Sequence, residues 1–179
     1  MTGFRFLLVS AALTAAIVWA LPVGGAYGMG GACSSGQVMK TKSYVFALSI
    51  GPVEEMYTQA QVKAKHPKTG EVMLSGTMGS MNMSSSSIHH LEVHICTSGG
   101  AVVTGAHPTI TIDDPTAKTM MMSVPIATME GIGMGMSDYH YGNNIDVPSG
   151  HHITVTVKLN GEQVVFHTTV SKSAMSMSG

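Results

Sequence analysis

The chain alternates apolar and polar residues over short runs, and turn residues bound each run. "SYVFALSI" (Ser43 to Ile50) stops at Gly51-Pro52, and "IHHLEVHI" (Ile88 to Ile95) stops before Gly99-Gly100. "AQVKAKH" and "EVMLSGTM" flank "PKTG" (Pro67 to Gly70), a spacing that predicts a hairpin of two strands. "PTITIDD" and "KTMMMSVPI" flank Pro115-Thr116 in the same way, with Pro125 closing the second strand. "HITVTVKL" and "QVVFHTTV" are joined through Asn160-Gly161, a dipeptide suited to a two-residue hairpin turn. A short helical turn around "EEMYTQA" is the weakest element, and no stretch sustains a helical period. The pattern predicts an all-β domain, an antiparallel immunoglobulin-like β-sandwich of about seven or eight strands.

Strand alternation also sorts "IHHLEVHI" into two faces. His89, Leu91, Val93 and Ile95 share one, which reads as core. His90, Glu92 and His94 share the other, with alternate Cα atoms about 6.6 Å apart, close enough for two side chains to reach one ion. A solvated polar face is the plain reading of such a row; three metal-capable side chains in succession favour a site. The stretch "SDYHYGNNIDVPSGHH" (Ser137 to His152) adds three histidines. Gly142-Asn143-Asn144 suits a tight turn that would aim His140 in one direction, either as a hydrogen-bonded turn histidine or as a ligand.

The amino terminus has a different pattern. Arg5 precedes the apolar stretch "FLLVSAALTAAIVWAL" (Phe6 to Leu21), Pro22 breaks it, and small residues follow. This is the layout of a secretory signal peptide over residues 1–28, with cleavage after Gly28 on an Ala26-x-Gly28 pattern and Met29 as the first mature residue. An uncleaved membrane anchor is the alternative, and Cys33 lies too far along for a lipobox. The remaining residues 29–179 have the size of one domain, and the last seven or so read as a flexible tail. An exported, periplasmic chain meets oxidising conditions, so Cys33 and Cys96 are candidates for a disulfide, with two free buried thiols as the other option.

Composition narrows the function. The net charge is −1 and the few lysines are scattered, which excludes a nucleic-acid-tracking surface. No Ser-His-Asp, Cys-His or paired-carboxylate arrangement has supporting context, and no phosphate loop is present, so the chain does not read as an enzyme. Against only 11% charged residues stand 16 Met and 9 His. Many thioethers lie in Gly- and Ser-rich segments too polar for core, namely "MGSMNMSSSS" (Met78 to Ser87), "MEGIGMGMS" (Met129 to Ser137) and "SAMSMSG" (Ser173 to Gly179). Thioethers suit Cu(I), and imidazole suits Cu(II), zinc and iron.

"HLE" at His90 to Glu92, followed by "HYGNNI" at His140 to Ile145, resembles the periplasmic iron-uptake accessory family typified by FetP. "SIGPVEEMY" is similar to that family's "QPVEM" segment, with Pro52 and Val53 in register, and the likeness spans Tyr44 to Val157. The resemblance implies an immunoglobulin-like sandwich, a tendency to form a homodimer, a copper site, and support of iron uptake alongside an inner-membrane metal permease. It assigns His90, Glu92 and His140 as metal ligands. The family's Met ligand follows a proline; here Pro125 is followed by Ile126, so Met134 or Met136 would substitute from a longer loop. His94 stands where the family has Asp, and His151 or His152 would replace a later histidine. The resulting expectation is an exported copper-binding protein, with iron as a further possible ion. The alternatives are a Met-rich copper chaperone without an iron role and a structural cell-surface protein that binds no metal.

Overall fold

The computed structural model describes residues 31–78, 86–117 and 121–171. The signal segment, the tail and part of the Met-rich "MGSMNMSSSS" stretch lie outside these residues. The described chain is a β-sandwich-like fold of two sheets. The larger sheet has the order β1-β2-β5-β9-β8-β4-β3, from strands β1 (Gln37–Lys40), β2 (Tyr44–Pro52), β3 (Met56–Thr58), β4 (Glu71–Gly76), β5 (Ile88–Thr97), β8 (Ala127–Gly131) and β9 (His140–Asp146). The smaller has the order β11-β10-β6-β7, from β6 (Thr109–Asp113), β7 (Met122–Ser123), β10 (His152–Leu159) and β11 (Glu162–Thr169).

The core lies between the sheets and is filled from alternate positions. Phe46 and Leu48 of β2, Leu91, Val93 and Ile95 of β5, and Tyr141 and Ile145 of β9 meet Ile110, Ile112, Val155, Val157 and Phe166 of the smaller sheet. The inward and outward sorting of β5 read from the sequence therefore holds. The β10–β11 hairpin also forms as expected, with Asn160 and Gly161 both at positive φ, as its two-residue turn requires.

Three expectations are corrected. The described residues form eleven strands, and one pair is parallel, β3 with β4. The "AQVKAKH" segment is not a strand: it forms the helix α1 (Gln59–Lys65). Its apolar-polar alternation matches a strand, but its Gln, Ala and Lys residues are good helix formers. The start signal is local, because Thr58 and Gln61 make a reciprocal capping box. Lys63 and Lys65 close the last turn and His66 takes a left-handed conformation at its end. Helix and flanking residues together supply the crossover that a parallel pair demands. Third, "YGNN" is not a turn. It lies inside β9, where Asn143 and Asn144 are buried. The Asn143 amide donates to the carbonyls of Thr77 and Pro125, and Asn144 donates to that of Glu54. Those partners come from distant segments, and they override the local turn preference.

Gly142 shows how closely β5 and β9 approach. A Cβ at this position would lie 1.8 Å from the Leu91 carbonyl oxygen, so only glycine fits without moving a strand. It pairs with Glu92 on one side and Ala127 on the other, in the middle of the histidine-bearing face.

Cys33 and Cys96 form a disulfide, joining a short 3₁₀ turn (Ala32–Ser34) to the end of β5. Such bonds persist in oxidising compartments. A second 3₁₀ turn, Gly135–Asp138, packs against β8 and touches the first. Together they roof part of the outer face of the larger sheet. No described helix is long and apolar enough to cross a membrane.

Candidate metal centre

Directly paired residues of neighbouring strands point to the same face. His90 pairs with Asn144, Glu92 with Gly142, His140 with Met129, and Met129 with Met73. The outer face of the larger sheet thus gathers His90, Glu92, His94, His140 and Glu71 from β4, β5 and β9. This face is not solvated. His90 and His140 are fully buried, His94 and Glu71 nearly so, and Glu92 keeps 23% exposure.

The three imidazoles are held alike. His90 Nδ1 lies 2.9 Å from Asn144 Oδ1, His94 Nδ1 3.0 Å from the Tyr139 carbonyl oxygen, and His140 Nδ1 2.7 Å from that of Asp138. Carbonyl oxygens only accept, so His94 and His140 donate from Nδ1. The Asn144 amide is oriented by Glu54, whose N–H donates to its Oδ1 (3.4 Å) and whose carbonyl accepts from its Nδ2 (2.9 Å). His90 therefore also carries its proton on Nδ1. All three rings present a bare Nε2, which is the arrangement of metal-ligating histidines held by outer hydrogen bonds.

Two of those nitrogens converge. His90 Nε2 and His140 Nε2 are 3.3 Å apart, while the rings of His94 and His140 meet edge to face. Two lone pairs facing each other at this distance repel unless a proton or a cation lies between them. Donors about 2.05 Å from a tetrahedral ion are themselves about 3.3 Å apart, so the spacing fits one ion. A shared proton is disfavoured: burial lowers both histidines below their ordinary pKa, His140 to about 4. Both are neutral at pH 7, as ligation requires.

The surrounding charge is one-sided. Glu71 Oε2 stands 3.8 Å from His140 Nε2 and is the buried side-chain oxygen left without a hydrogen-bond partner among the described residues. Burial, and then the nearby charges of Asp138, Glu92, Glu54 and Glu130, push its pKa up to about 8. Glu54 is raised by burial and by Glu92 and Asp138. Burial acts to raise Glu92 too, but the His94 imidazole 3.6 Å away and the other histidines around it bring the net shift downward. Among the described residues no lysine or arginine pairs with Glu54, Glu71, Glu92 or Asp138. Two sets of donor atoms lie within 4.8 Å of one another: Glu71, His90 and His140, and His94, Asp138 and His140. The donor set is nitrogen and oxygen, which fits Cu(II), zinc or iron.

The residues expected from the sequence divide accordingly. His90, His94 and His140 come together, with Glu92 beside His94 at 3.6 Å. Met134 and Met136 do not enter the buried cluster; they stand 58% and 50% exposed at the 3₁₀ turn before His140. The thioether that the register sets beside His140 is Met129, fully buried, and Met56 Sδ lies 3.5 Å from the Asn144 amide. His151 is elsewhere, 2.7 Å from Asp114, and His152 bonds Thr169. Glu71 and Asp138 were missed. Asp138 sits two residues before His140 and was legible as a nearby carboxylate, whereas nothing local marks Glu71.

No family model and no curated protein matches the chain. Among solved structures, a DUF4426 family protein from Pseudomonas aeruginosa is similar over 76% of this chain and 98% of its own, at 13% identity and a TM-score of 0.42.

Proposed function

We propose that this chain is an exported, non-catalytic metal-binding protein that holds copper at the buried His90, His94, His140 and Glu71 cluster. One observation carries the reading: His90 and His140 bring their Nε2 atoms to 3.3 Å beside the buried Glu71, whose Oε2 has no hydrogen-bond partner among the described residues, and the acids around them pair with no lysine or arginine among those residues. An ordinary packed core would leave neither facing lone pairs nor a buried carboxyl oxygen without a partner. Copper leads among the borderline metals because divalent copper binds nitrogen and oxygen donors most tightly in the first-row series. Glu92 and Asp138 are the outer carboxylates of the same site. The disulfide and the amino-terminal pattern support an exported, periplasmic setting. The "HLE" and "HYGNNI" resemblance supports a role in periplasmic iron uptake or copper handling, with delivery to or from an inner-membrane metal permease, and pairing as a homodimer. The Met-rich surface supports the second role, a copper chaperone without an iron partner.

The test is a Cu(II) titration of metal-stripped protein in one buffer. His90→Ala and His140→Ala should each weaken binding at least a hundredfold, and the double change should cost little more than the worse single, because ligands of one ion are not independent. His167→Ala, on β11 of the other sheet, should change nothing. Proton competition from His140 should set in only toward pH 4, since its pKa is about 4. Equal affinity in wild type and the double variant would overturn the reading.

A further inference from the structure

His90 and His140 are fully enclosed and His94 is 3% exposed, so an ion reaches their Nε2 atoms only when part of the cover moves. The weakest part of that cover is the segment 132–138, which ends in the second 3₁₀ turn. None of its residues is buried. Its backbone ties are few: the Ile132 N–H donates to the Gly70 carbonyl (3.0 Å), the Met134 N–H donates to that of Gly131 (2.9 Å), and Asp138 accepts from the Gly131 N–H (3.0 Å). Gly133 and Gly135 hold positive φ with open space around them, which leaves both free to turn. Segments with so little buried apolar contact open at low cost. The next residue is fixed, because Tyr139 is buried and its hydroxyl accepts from the Gly105 N–H (3.1 Å).

The first 3₁₀ turn (Ala32–Ser34) braces this segment: it packs on β2 and β5 and touches the second turn. Register explains where it lands. Cys96 continues the row His90, Glu92, His94 on the outer face of β5, and it pairs with Val45 as His94 pairs with Ala47. The Cys33–Cys96 bond therefore pins the first turn one step along the strand face from His94. Among the described residues the turn's own hydrogen bonds are internal, from the Ser34 N–H (3.0 Å) and hydroxyl (2.8 Å) to the Gly31 carbonyl. Its ties to the sheet are the disulfide and the buried Ala32. Asp138, on the braced segment, offers its carbonyl to His140 Nδ1 (2.7 Å) and its carboxylate to the donor set of His94 and His140. Displacing the segment uncovers the cluster and withdraws both.

We propose that the Cys33–Cys96 disulfide is a redox latch on the metal site: intact, it keeps the 132–138 segment closed over the histidines, and its reduction lets that segment open so that the ion exchanges. The latch rests on the copper reading of the cluster for its purpose, and on the contacts above for its mechanics. The reductant is a dithiol. Its thiolate attacks the sulfur of Cys33, which is half-buried, and the buried Cys96 leaves as a thiolate and takes up a proton. The second thiol of the reductant then attacks its own sulfur in the mixed disulfide and frees Cys33 as a thiol. Two electrons and two protons pass to the protein, and the reductant ends as a disulfide.

Amide hydrogen exchange on metal-free protein tests the latch without copper. In wild type reduced with dithiothreitol, and in Cys33→Ser/Cys96→Ser, the Ile132 and Met134 amides should exchange at least tenfold faster than in oxidised wild type. Their rates should stay insensitive to low urea, as local opening is. Val155 and Val157 in the other sheet report global unfolding, whose exchange rises with urea. Stopped-flow mixing then follows Cu(II) uptake by the serine variant, which has no thiol to bind copper, and its release to EDTA. Both rates should be at least tenfold faster than in oxidised wild type, with affinity changed less than either. Unaltered exchange at Ile132 and Met134, or exchange there that follows urea as Val155 does, overturns the latch. So does weaker binding that comes from faster release alone. Reduced wild type carries the exchange test if the serine variant does not fold. If wild type binds no Cu(II), the copper reading of the cluster falls and the exchange result alone decides the latch.

Discussion

Glu71→Gln separates what this side chain does for metal binding from what it does for stability. In the metal-free protein its pKa is raised from 4.5 to about 8, so folding takes up a proton between those values. A carboxyl whose folded pKa is raised loses stability as pH rises from its unfolded value to its folded one. At 1.36 kcal/mol per pH unit, the cost is about 3 kcal/mol at pH 7 and approaches about 5 above pH 8. His90 and His140 act the opposite way. Their folded values lie below 6.5, so their stabilising contribution is full above 6.5 and is lost as pH falls through the folded values, for His140 about 4. Between about pH 4.5 and 6.5 the loss from Glu71 and the gain from the histidines oppose each other, and above about 6.5 Glu71 alone of these groups shapes the curve, so that stability falls there as pH rises. Glutamine keeps the shape and cannot ionise. Urea unfolding of metal-stripped protein should show wild type losing about 2 kcal/mol between pH 6.5 and 9 relative to Glu71→Gln. The same variant should bind Cu(II) at least tenfold more weakly, because it gives up an anionic donor. Parallel pH curves for the two proteins, or a variant less stable than wild type at pH 8, would refute the account of Glu71 as an uncompensated buried acid.

Asn144→Leu removes the acceptor that holds His90 and both bonds to Glu54. We expect a loss of about 2–3 kcal/mol in stability and a 10- to 100-fold loss of Cu(II) affinity, with nitrogen-15 spectra showing His90 leaving its Nδ1–H tautomer. An unchanged tautomer would remove Asn144 from the site. Gly142→Ala should destabilise by at least about 3 kcal/mol in urea unfolding, since its Cβ would overlap the Leu91 carbonyl; a tolerated alanine would contradict the β5–β9 pairing. Replacing Cys33 and Cys96 by serine should cost about 4 kcal/mol for a 63-residue separation, read as a lower melting temperature. Alkylation of the denatured, unreduced wild type should find no thiol.

Much of the sandwich was legible because strand alternation is a local property. Leu91, Val93 and Ile95 face the core and His90, Glu92 and His94 the other side for the same reason, a two-residue period along one strand. Asn160-Gly161 closes its hairpin because both residues accept positive φ. Where two local signals competed, as in Gln59–Lys65, the apolar alternation misled and the Thr58–Gln61 capping box was the better guide. The "YGNN" segment could not be read locally, because what keeps Asn143 and Asn144 in a strand are carbonyls of Thr77, Pro125 and Glu54, far away in sequence. The site follows the same division. Three histidines of metal-capable spacing were visible in the chain, but their burial was not, since the covering 3₁₀ turns and the disulfide that anchors one of them are long-range. Glu71 reaches His140 only because β4, β8, β9 and β5 stand in that order. Strand order is decided by how two whole sheets bury their apolar faces against each other, and no window of sequence contains it.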